Sequence, residues 1–358
     1  GADTFSILVN PTPSVDTISD LIYCNGDMLQ TIPFTGTVSN ASYHWTNDKS
    51  TIGLDSVGIN NITPFTILNS DSIPVIANIV VVPKANNCSG PSKNFSITVN
   101  PTPNVIPTAD QILCNGSPTD SITFNGSVAN TNYNWTNTDS TIGLGNSGIG
   151  NIVSFTATSN STVPITGVIS VTPIANNCPG TVDTFSITVN PTPNVFPSSD
   201  ILICNKDTAR FVNFGGYVFG TIFIWTNSDT TIGLKDTDTG NISAFSVTNN
   251  SNIVKTAIIE VVPYAYNCEG IPDIFSIAVK PTPVLDTITD QYVCNNLPTD
   301  SIVFISSVSG STFSTWSDRL IDIGYSGTSS VGIPSFIAHN SSDTPVIATI
   351  KVSTIASG

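Results

Sequence analysis

A 90-residue period runs through the 358-residue chain, and no other feature narrows the available folds as much. Asn-Pro-Thr-Pro begins at Asn10, Asn100 and Asn190, and its variant Lys-Pro-Thr-Pro begins at Lys280. Cys24, Cys114, Cys204 and Cys294 keep the same interval, as do Trp45, Trp135 and Trp225. Trp316 follows 91 residues after Trp225, which implies one inserted residue in the fourth copy. Trp-Thr-Asn recurs at Trp45, Trp135 and Trp225, followed by Thr-Ile-Gly-Leu from Thr51, Thr141 and Thr231. Phe-Ser-Ile recurs at Phe5, Phe95, Phe185 and Phe275. The copies therefore span 11–100, 101–190, 191–280 and 281–358, and residues 1–10 read as the last strand of a preceding copy.

Ninety residues exceed any helical solenoid repeat and suit one sandwich domain. In the second copy the strand signals fall at 104–107 with Gln111–Cys114, then 121–124, Asn132–Asn137, 154–159, 163–173 and Asp183–Asn190. Phe185, Ile187 and Val189 alternate with polar residues, the period of a half-buried strand. Asn115-Gly116 and Asn125-Gly126 supply turn signals between runs. Charged residues are only 10% of the chain, and Thr, Ser, Asn and Val take their place, favouring strands and turns. The expected fold is all-β: four tandem immunoglobulin-like β-sandwiches in an elongated array. Trp45, Trp135, Trp225 and Trp316 then read as core residues of the third strand and not as exposed platforms for sugar or peptide. At each junction a final strand runs straight into Pro-Thr-Pro, a short and semi-rigid linker.

The cysteines lie 64 residues apart within each copy: Cys24 with Cys88, Cys114 with Cys178, Cys204 with Cys268. Constant spacing predicts three intradomain disulfides, each worth ~2–4 kcal/mol, in an oxidising, extracellular compartment. Zinc or redox chemistry has no CxxC pair to use and only His44 and His339 besides. The partner expected for Cys294 falls just past Gly358, so the fourth copy reads as truncated before its last strand, with Cys294 unpaired. An alternative to truncation is strand exchange, in which another chain donates residues 3–10 into the open fourth copy.

The net charge of −15, from 10 basic and 25 acidic residues, sets aside nucleic acid and anionic membranes as partners. No run reaches the ~18 apolar residues of a membrane span, and Gly1 does not open a signal peptide. The chain thus reads as a window on something longer. Neither histidine repeats, so a Ser-His-Asp site has no repeated base, and Gly143-Leu144-Gly145 lacks the Gly-Lys-Ser/Thr of a phosphate loop. The chain is not expected to be an enzyme and carries no expected cofactor. Calcium is the one metal with a candidate set: Asp20, Asp110, Asp200 and Asp290, which recur near the junctions, with Asp236 and Asp238 forming a separate acidic loop. The competing reading is that each recurrent Asp caps a turn.

The run N-P-T-P, C-N-G, W-T-N, T-I-G-L, G-N-I, V-T-P-x-A-N-x-C and F-S-I-T-V-N-P, nearly complete from Asn100 to Pro191, resembles the PKD-like repeats of Bacteroidota surface proteins. The match covers the whole chain and is weakest after Trp316, where Trp-Ser-Asp replaces W-T-N and Asp322-Ile323-Gly324 replaces part of T-I-G-L. The resemblance implies a stalk segment of a large secreted adhesin, serving surface attachment or gliding motility and exported by the type IX secretion machinery. Its partners would be neighbouring repeats, with surface glycans or external substrata beyond them. The alternative is a carbohydrate- or protein-binding accessory module of a secreted polysaccharide-acting protein, with the loop around Tyr264 and Tyr266 as contact. Asp followed by Ser or Thr also resembles the O-glycosylation sequon of that phylum. It would place glycans on Thr17, Ser56, Ser72, Ser121, Ser140, Thr208, Thr230, Thr287 and Ser301, unless these pairs simply serve turns.

Overall fold

The computed structural model describes residues 1, 3–317, 323–325 and 329–355. The chain divides into two compact units, Gly1–Asn190 and Pro191–Gly358, each holding two of the 90-residue copies. The fold is all-β, and each copy has its own apolar core cluster.

Repeat 1 carries β1 (Leu21–Cys24), β2 (Met28–Leu29), β3 (Ser42–Asn47), β4 (Val57–Ile59), β5 (Phe65–Thr66), β6 (Val75–Ala85), β7 (Cys88–Ser89) and β8 (Lys93–Asn100). The main sheet has the order β1-β8-β6-β3-β4, with β7 folded back on β6. All its pairings are antiparallel except β1 with β8, which run parallel. β2 and β5 pair separately, and the Ile32–Ile62 bridge extends that second layer. Between the layers lie Leu29, Phe34, Ile52, Ile62 and Ile67 against Trp45, Ile79, Val81, Phe95 and Ile97. Period-2 alternation on β6 and β8 sends Ala77, Ile79, Val81, Phe95, Ile97 and Val99 inward, as the pleat requires.

The recurrent motifs are mostly scaffolding. Trp45 Nε1 donates to Asn60 O at 3.0 Å, and Trp135 Nε1 donates to Gly150 O at 3.2 Å. Gly58 and Gly148 lie so close to these indoles that a Cβ would fall 1.9 and 2.2 Å from Cζ2. In repeat 3 Asp238 stands opposite Trp225, and Trp225 Nε1 is buried with no partner. The Asn of W-T-N is buried: Asn47 Nδ2 donates to Leu54 O at 3.0 Å and Asn47 Oδ1 accepts from Lys49 N at 2.9 Å, which holds the T-I-G-L turn.

Repeats 2 and 3 repeat this sheet order. Several sequence expectations were too generous: 104–107 form no strand, and 121–124 and 154–159 make only isolated bridges, Ile122 with Ile152 and Pro118 with Thr156. The edge strand Ser147–Ile149 and the two-residue Cys178–Pro179 were not anticipated. Both are too short to show a period of their own.

Repeat 4 differs. Thr312–Ser317 pairs with Ile350–Ile355, and Ile302–Val303 pairs with Gly332–Ile333, but no counterpart of β1 forms among the described residues. Trp316 is not a core residue, contrary to the sequence expectation: it is 62% exposed, whereas Trp45 is 7% exposed. The strand Thr312–Ser317 lies 90 residues after Ile222–Asn227, so Thr315 takes the place of Trp225 and Trp316 is one residue late. A one-residue offset moves a side chain to the other face of a strand. The inserted residue therefore lies beyond this strand. Asp322 lies outside the described residues.

Candidate functional site: the joint between repeats

Parallel pairing sets Cys24 beside Asn100, so the first cysteine stands where repeat 1 hands over to repeat 2. In repeat 2 the strand Ile165–Ala175 turns back through Asn176 and Asn177, with φ of +50° and +62°, into Cys178–Pro179. Ala175 faces Cys178 across this two-residue turn, which needs positive φ at both central residues and finds it at asparagines. The tip of this hairpin meets the end of repeat 1, and Cys24 and Cys178 form a disulfide with their Cα atoms 5.6 Å apart.

The intradomain pairing expected from the 64-residue spacing is therefore overturned. Cys24 bonds to Cys178 and not to Cys88, and Cys88, Cys204 and Cys294 are free. Cys114 and Cys268 are also disulfide-bonded. The reason is the direction of β6. Its start, Val75, faces Val99 near Cys24, and its end, Ala85, faces Cys88. Eleven residues separate those ends by roughly 33 Å, far past the ~7 Å limit for a disulfide. The two cysteines of one copy sit at opposite poles of the same sheet.

Side chains of the recurrent motifs seal the joint. Asn25 Nδ2 donates to Thr102 Oγ1 at 2.9 Å, joining C-N-G of one copy to P-T-P of the next. Asn205 and Thr282 repeat that bond at 2.9 Å. Asn100 Nδ2 donates to Asn176 O at 3.2 Å, on the hairpin tip. Pro101 and Pro103 are buried, and Pro103 O lies so near Gly180 that a Cβ there would come within 1.7 Å. The linker is strapped onto its own repeat, and Gly180 is the residue that admits it.

The recurrent aspartates act at the same pole. Asp20 Oδ1 accepts from Ser96 N at 2.7 Å, Asp110 Oδ1 from Ser186 N at 2.6 Å, and Asp200 Oδ1 from Ser276 N at 2.7 Å. The backbone bond from each serine holds these carboxyls below their ordinary value. They tie the first strand to the last across the parallel pair, 76 residues away in sequence, and not a local turn as the reading set against calcium had it. No group of three or more His, Cys, Asp or Glu side chains among the described residues converges as a metal site. Asp238 pairs with Lys235 at 2.9 Å, and Asp236 Oδ1 accepts from Thr237 N.

The remaining candidates are dispersed. His44 Nε2 lies 3.3 Å from Ser42 Oγ on β3, while His339 is exposed in repeat 4. Tyr264 OH donates to Glu269 Oε2 at 2.7 Å, and Tyr266 takes in the hairpin turn of repeat 3 the place that Asn176 has in repeat 2. All nine Ser and Thr residues of the Asp-Ser/Thr pairs are exposed. Two of their aspartates have a structural task as well: Asp139 and Asp229 cap short turns by accepting from Thr141 N and Thr231 N at 2.9 Å. Among the described residues no helix is long and apolar enough to cross a membrane.

No family model matches the chain, and no curated protein matches it. Solved structures of tandem domains do. Three immunoglobulin domains of titin, I67–I69, match at 10% identity and a TM-score of 0.48, covering 76% of this chain and all of theirs. Extracellular cadherin domains 1–4 of protocadherin gamma B7 match at 10% identity and a TM-score of 0.36, covering 95% of this chain and 99% of theirs. Mouse cadherin-23 EC22–24 matches at 8% identity and a TM-score of 0.35, covering 76% of this chain.

Proposed function

We propose that the chain is a stalk segment of a secreted cell-surface adhesin whose joints are covalently braced against tension. The Cys24–Cys178 bond carries this reading. A disulfide inside a domain stabilises that domain; one that spans a joint keeps two domains attached when either unfolds. It closes a loop across 154 residues and stabilises the folded pair by about 5 kcal/mol in the chain-entropy view. Such a bond persists only in an oxidising compartment, which supports an extracellular location. The acidic surface keeps such chains soluble and apart, and the exposed Asp-Ser and Asp-Thr pairs leave O-glycans accessible sites. Attachment to surfaces or service in gliding, with export by the type IX machinery, rests on the sequence resemblance and extends the same reading.

Stretching the whole chain by its ends tests this mechanical role. With the bond intact, the 154 residues it spans are withheld from extension. Adding a reductant should lengthen the fully stretched chain by about 500–550 Å, at ~3.3–3.6 Å per residue. Equal lengths with and without reductant would remove the proposal.

A further inference from the structure

Repeats 1 and 2 expose no aromatic side chain, whereas repeat 3 exposes Phe196, Phe211, Tyr217, Phe219 and Tyr266. Three of these belong to one site. Phe196 and Tyr217 meet edge to face, with ring centroids 5.0 Å apart and planes at 81°. Phe219 stands two residues beyond Tyr217, in the turn that leads into the strand Ile222–Asn227. Ile222 opens that strand and is exposed as well. Where repeat 3 has Tyr217, Phe219 and Ile222, repeat 1 has Thr37, Ser39 and Ser42, and repeat 2 has Ser127, Ala129 and Asn132. Those repeats close their cores without the rings, so the fold does not ask for them.

The turn that carries the rings is held from below. Val218, between Tyr217 and Phe219, is buried, and Thr221 Oγ1 donates to Val218 O at 2.7 Å. Phe196 N donates to Gly215 O at 2.7 Å, and Tyr217 N donates to Asn194 Oδ1 at 2.9 Å. A Cβ on Gly216 would fall 2.1 Å from Asn194 O, and one on Gly215 would fall 3.2 Å from Phe196 Cδ2. Two adjacent glycines thus admit the Phe196 segment against the turn. In repeats 1 and 2 the side chain at the place of Tyr217 makes this contact itself. Thr37 Oγ1 lies 2.9 Å from Ser14 Oγ, and Ser127 Oγ donates to Asn104 Oδ1 at 2.7 Å. In repeat 3 the backbone N–H of residue 217 makes it, and the Tyr217 side chain, 72% exposed, is left to solvent. Groups fixed in this way have little freedom left to lose on binding.

We propose that this corner of repeat 3 binds a neutral β-linked glucose oligosaccharide. Three properties of the surface select that ligand. The first is charge. Residues 191–199 and 211–228, which build the corner, contain no charged side chain, and the net charge of −15 opposes acidic polysaccharides. The second is area. Phe219 is 86% exposed and Phe196 44%. At ~200 Å² for an aromatic side chain, the three rings offer about 400 Å² to a ligand. Each partner of a stable protein–protein interface buries roughly 800 Å², so the corner is too small for a second copy and large enough for a short run of sugar rings. The third is chemistry. A β-linked glucose ring carries its hydroxyls around the rim and its C–H bonds on the two faces. Those C–H groups bear partial positive charge and settle on the negative face of an aromatic ring. The Tyr217 hydroxyl, donor and acceptor both, meets the rim. The edge-to-face pair sets one ring flat beside one upright, which locates a sugar in two directions, and Phe219 takes the next sugar along. This binding needs only repeat 3 to be folded and is independent of the mechanical role of the joints.

The test is native electrophoresis of the 358-residue chain through gels containing a neutral β-glucan, followed by calorimetric titration with cellohexaose and laminarihexaose. Retardation by the glucan and heat with at least one of the two oligosaccharides are expected. Tyr217→Ser with Phe219→Ala installs the residues that repeat 2 carries as Ser127 and Ala129, so its unfolding transition should match that of the unchanged chain. Its affinity should fall about tenfold or more, the loss that follows removal of a central aromatic contact. If the double variant unfolds early, Phe219→Ala alone, at the most open ring, should still weaken binding. Absence of both signals would overturn the proposal, as would an affinity that survives these variants or a stronger retardation by alginate. So would rings that serve a second copy or a lipid surface, seen as self-association or binding to phosphatidylcholine vesicles that the double variant abolishes.

Discussion

Repeats 2 and 4 share one sequence pattern and one early strand, yet only repeat 2 closes its core. Phe124, Trp135, Ile142, Ile169, Phe185 and Ile187 are buried together in repeat 2; in repeat 4 the buried cluster among the described residues is Phe304, Tyr325 and Ile333. In repeat 2 the final strand supplies much of that core. Asp183–Asn190 sits between the first strand and the long hairpin strand, pairing with both, and it inserts Phe185, Ile187 and Val189 into the space between the layers. In repeat 4 residues 291–294 form no strand, and Ala348 and Ile350 are half-buried where Ala77 and Ile79 are sealed. A strand in the middle of the order serves as both pairing partner and core wall.

The comparison can be broken most forcefully at Phe185. Phe185→Ala should cost repeat 2 about 3–5 kcal/mol through the cavity it leaves, while Phe5→Ala, on the unpaired copy of that strand, should cost less than ~0.5 kcal/mol. Chemical denaturation followed by Trp135 fluorescence measures both, and equal losses would contradict the exposure of Phe5. Next comes the joint. Cys24→Ser should lower stability by about 2–5 kcal/mol, whereas Cys204→Ser, at a free and exposed thiol, should leave it unchanged. Cys88→Ser should also be neutral, and a loss matching that of Cys24→Ser would restore the intradomain bridge.

The smallest effect is electrostatic. Asp110 has its carboxyl held low by the Ser186 backbone bond. A depressed carboxyl contributes stability that is fully present above its unfolded value, near ~3.9, and fades as pH falls through the lower folded value. Acid titration of unfolding should therefore show a stability loss below about pH 4 that Asp110→Asn makes shallower. An unchanged acid limb would remove Asp110 as the tie between the first and last strands of repeat 2.

Much of this molecule was legible in its residues because repetition amplifies every signal. Alternation in Phe185, Ile187 and Val189 located a strand that the structure contains with the same bounds, Asp183–Asn190. The indoles of Trp45, Trp135 and Trp225 are in the core, as their setting on the third strand implied. Trp316 escaped because matching by residue type hides a one-residue offset, and an offset of one changes the face. Asn25, Thr102 and Gly180 escaped for another reason: each belongs to a motif that recurs, but its partner lies across the joint, beyond the reach of any local pattern.

The cysteines mark the boundary between the two kinds of knowledge. The residue order by itself determined the 90-residue unit, its all-β character and the fact that cysteines return at constant intervals. It could not choose between a bond inside one copy and a bond from one copy to the next, because in a periodic chain both spacings are constant and differ by one period. Only strand direction decides: β6 carries its two ends to opposite poles of the sheet, so Cys24 is far from Cys88 in its own repeat and 5.6 Å, Cα to Cα, from Cys178 in the next.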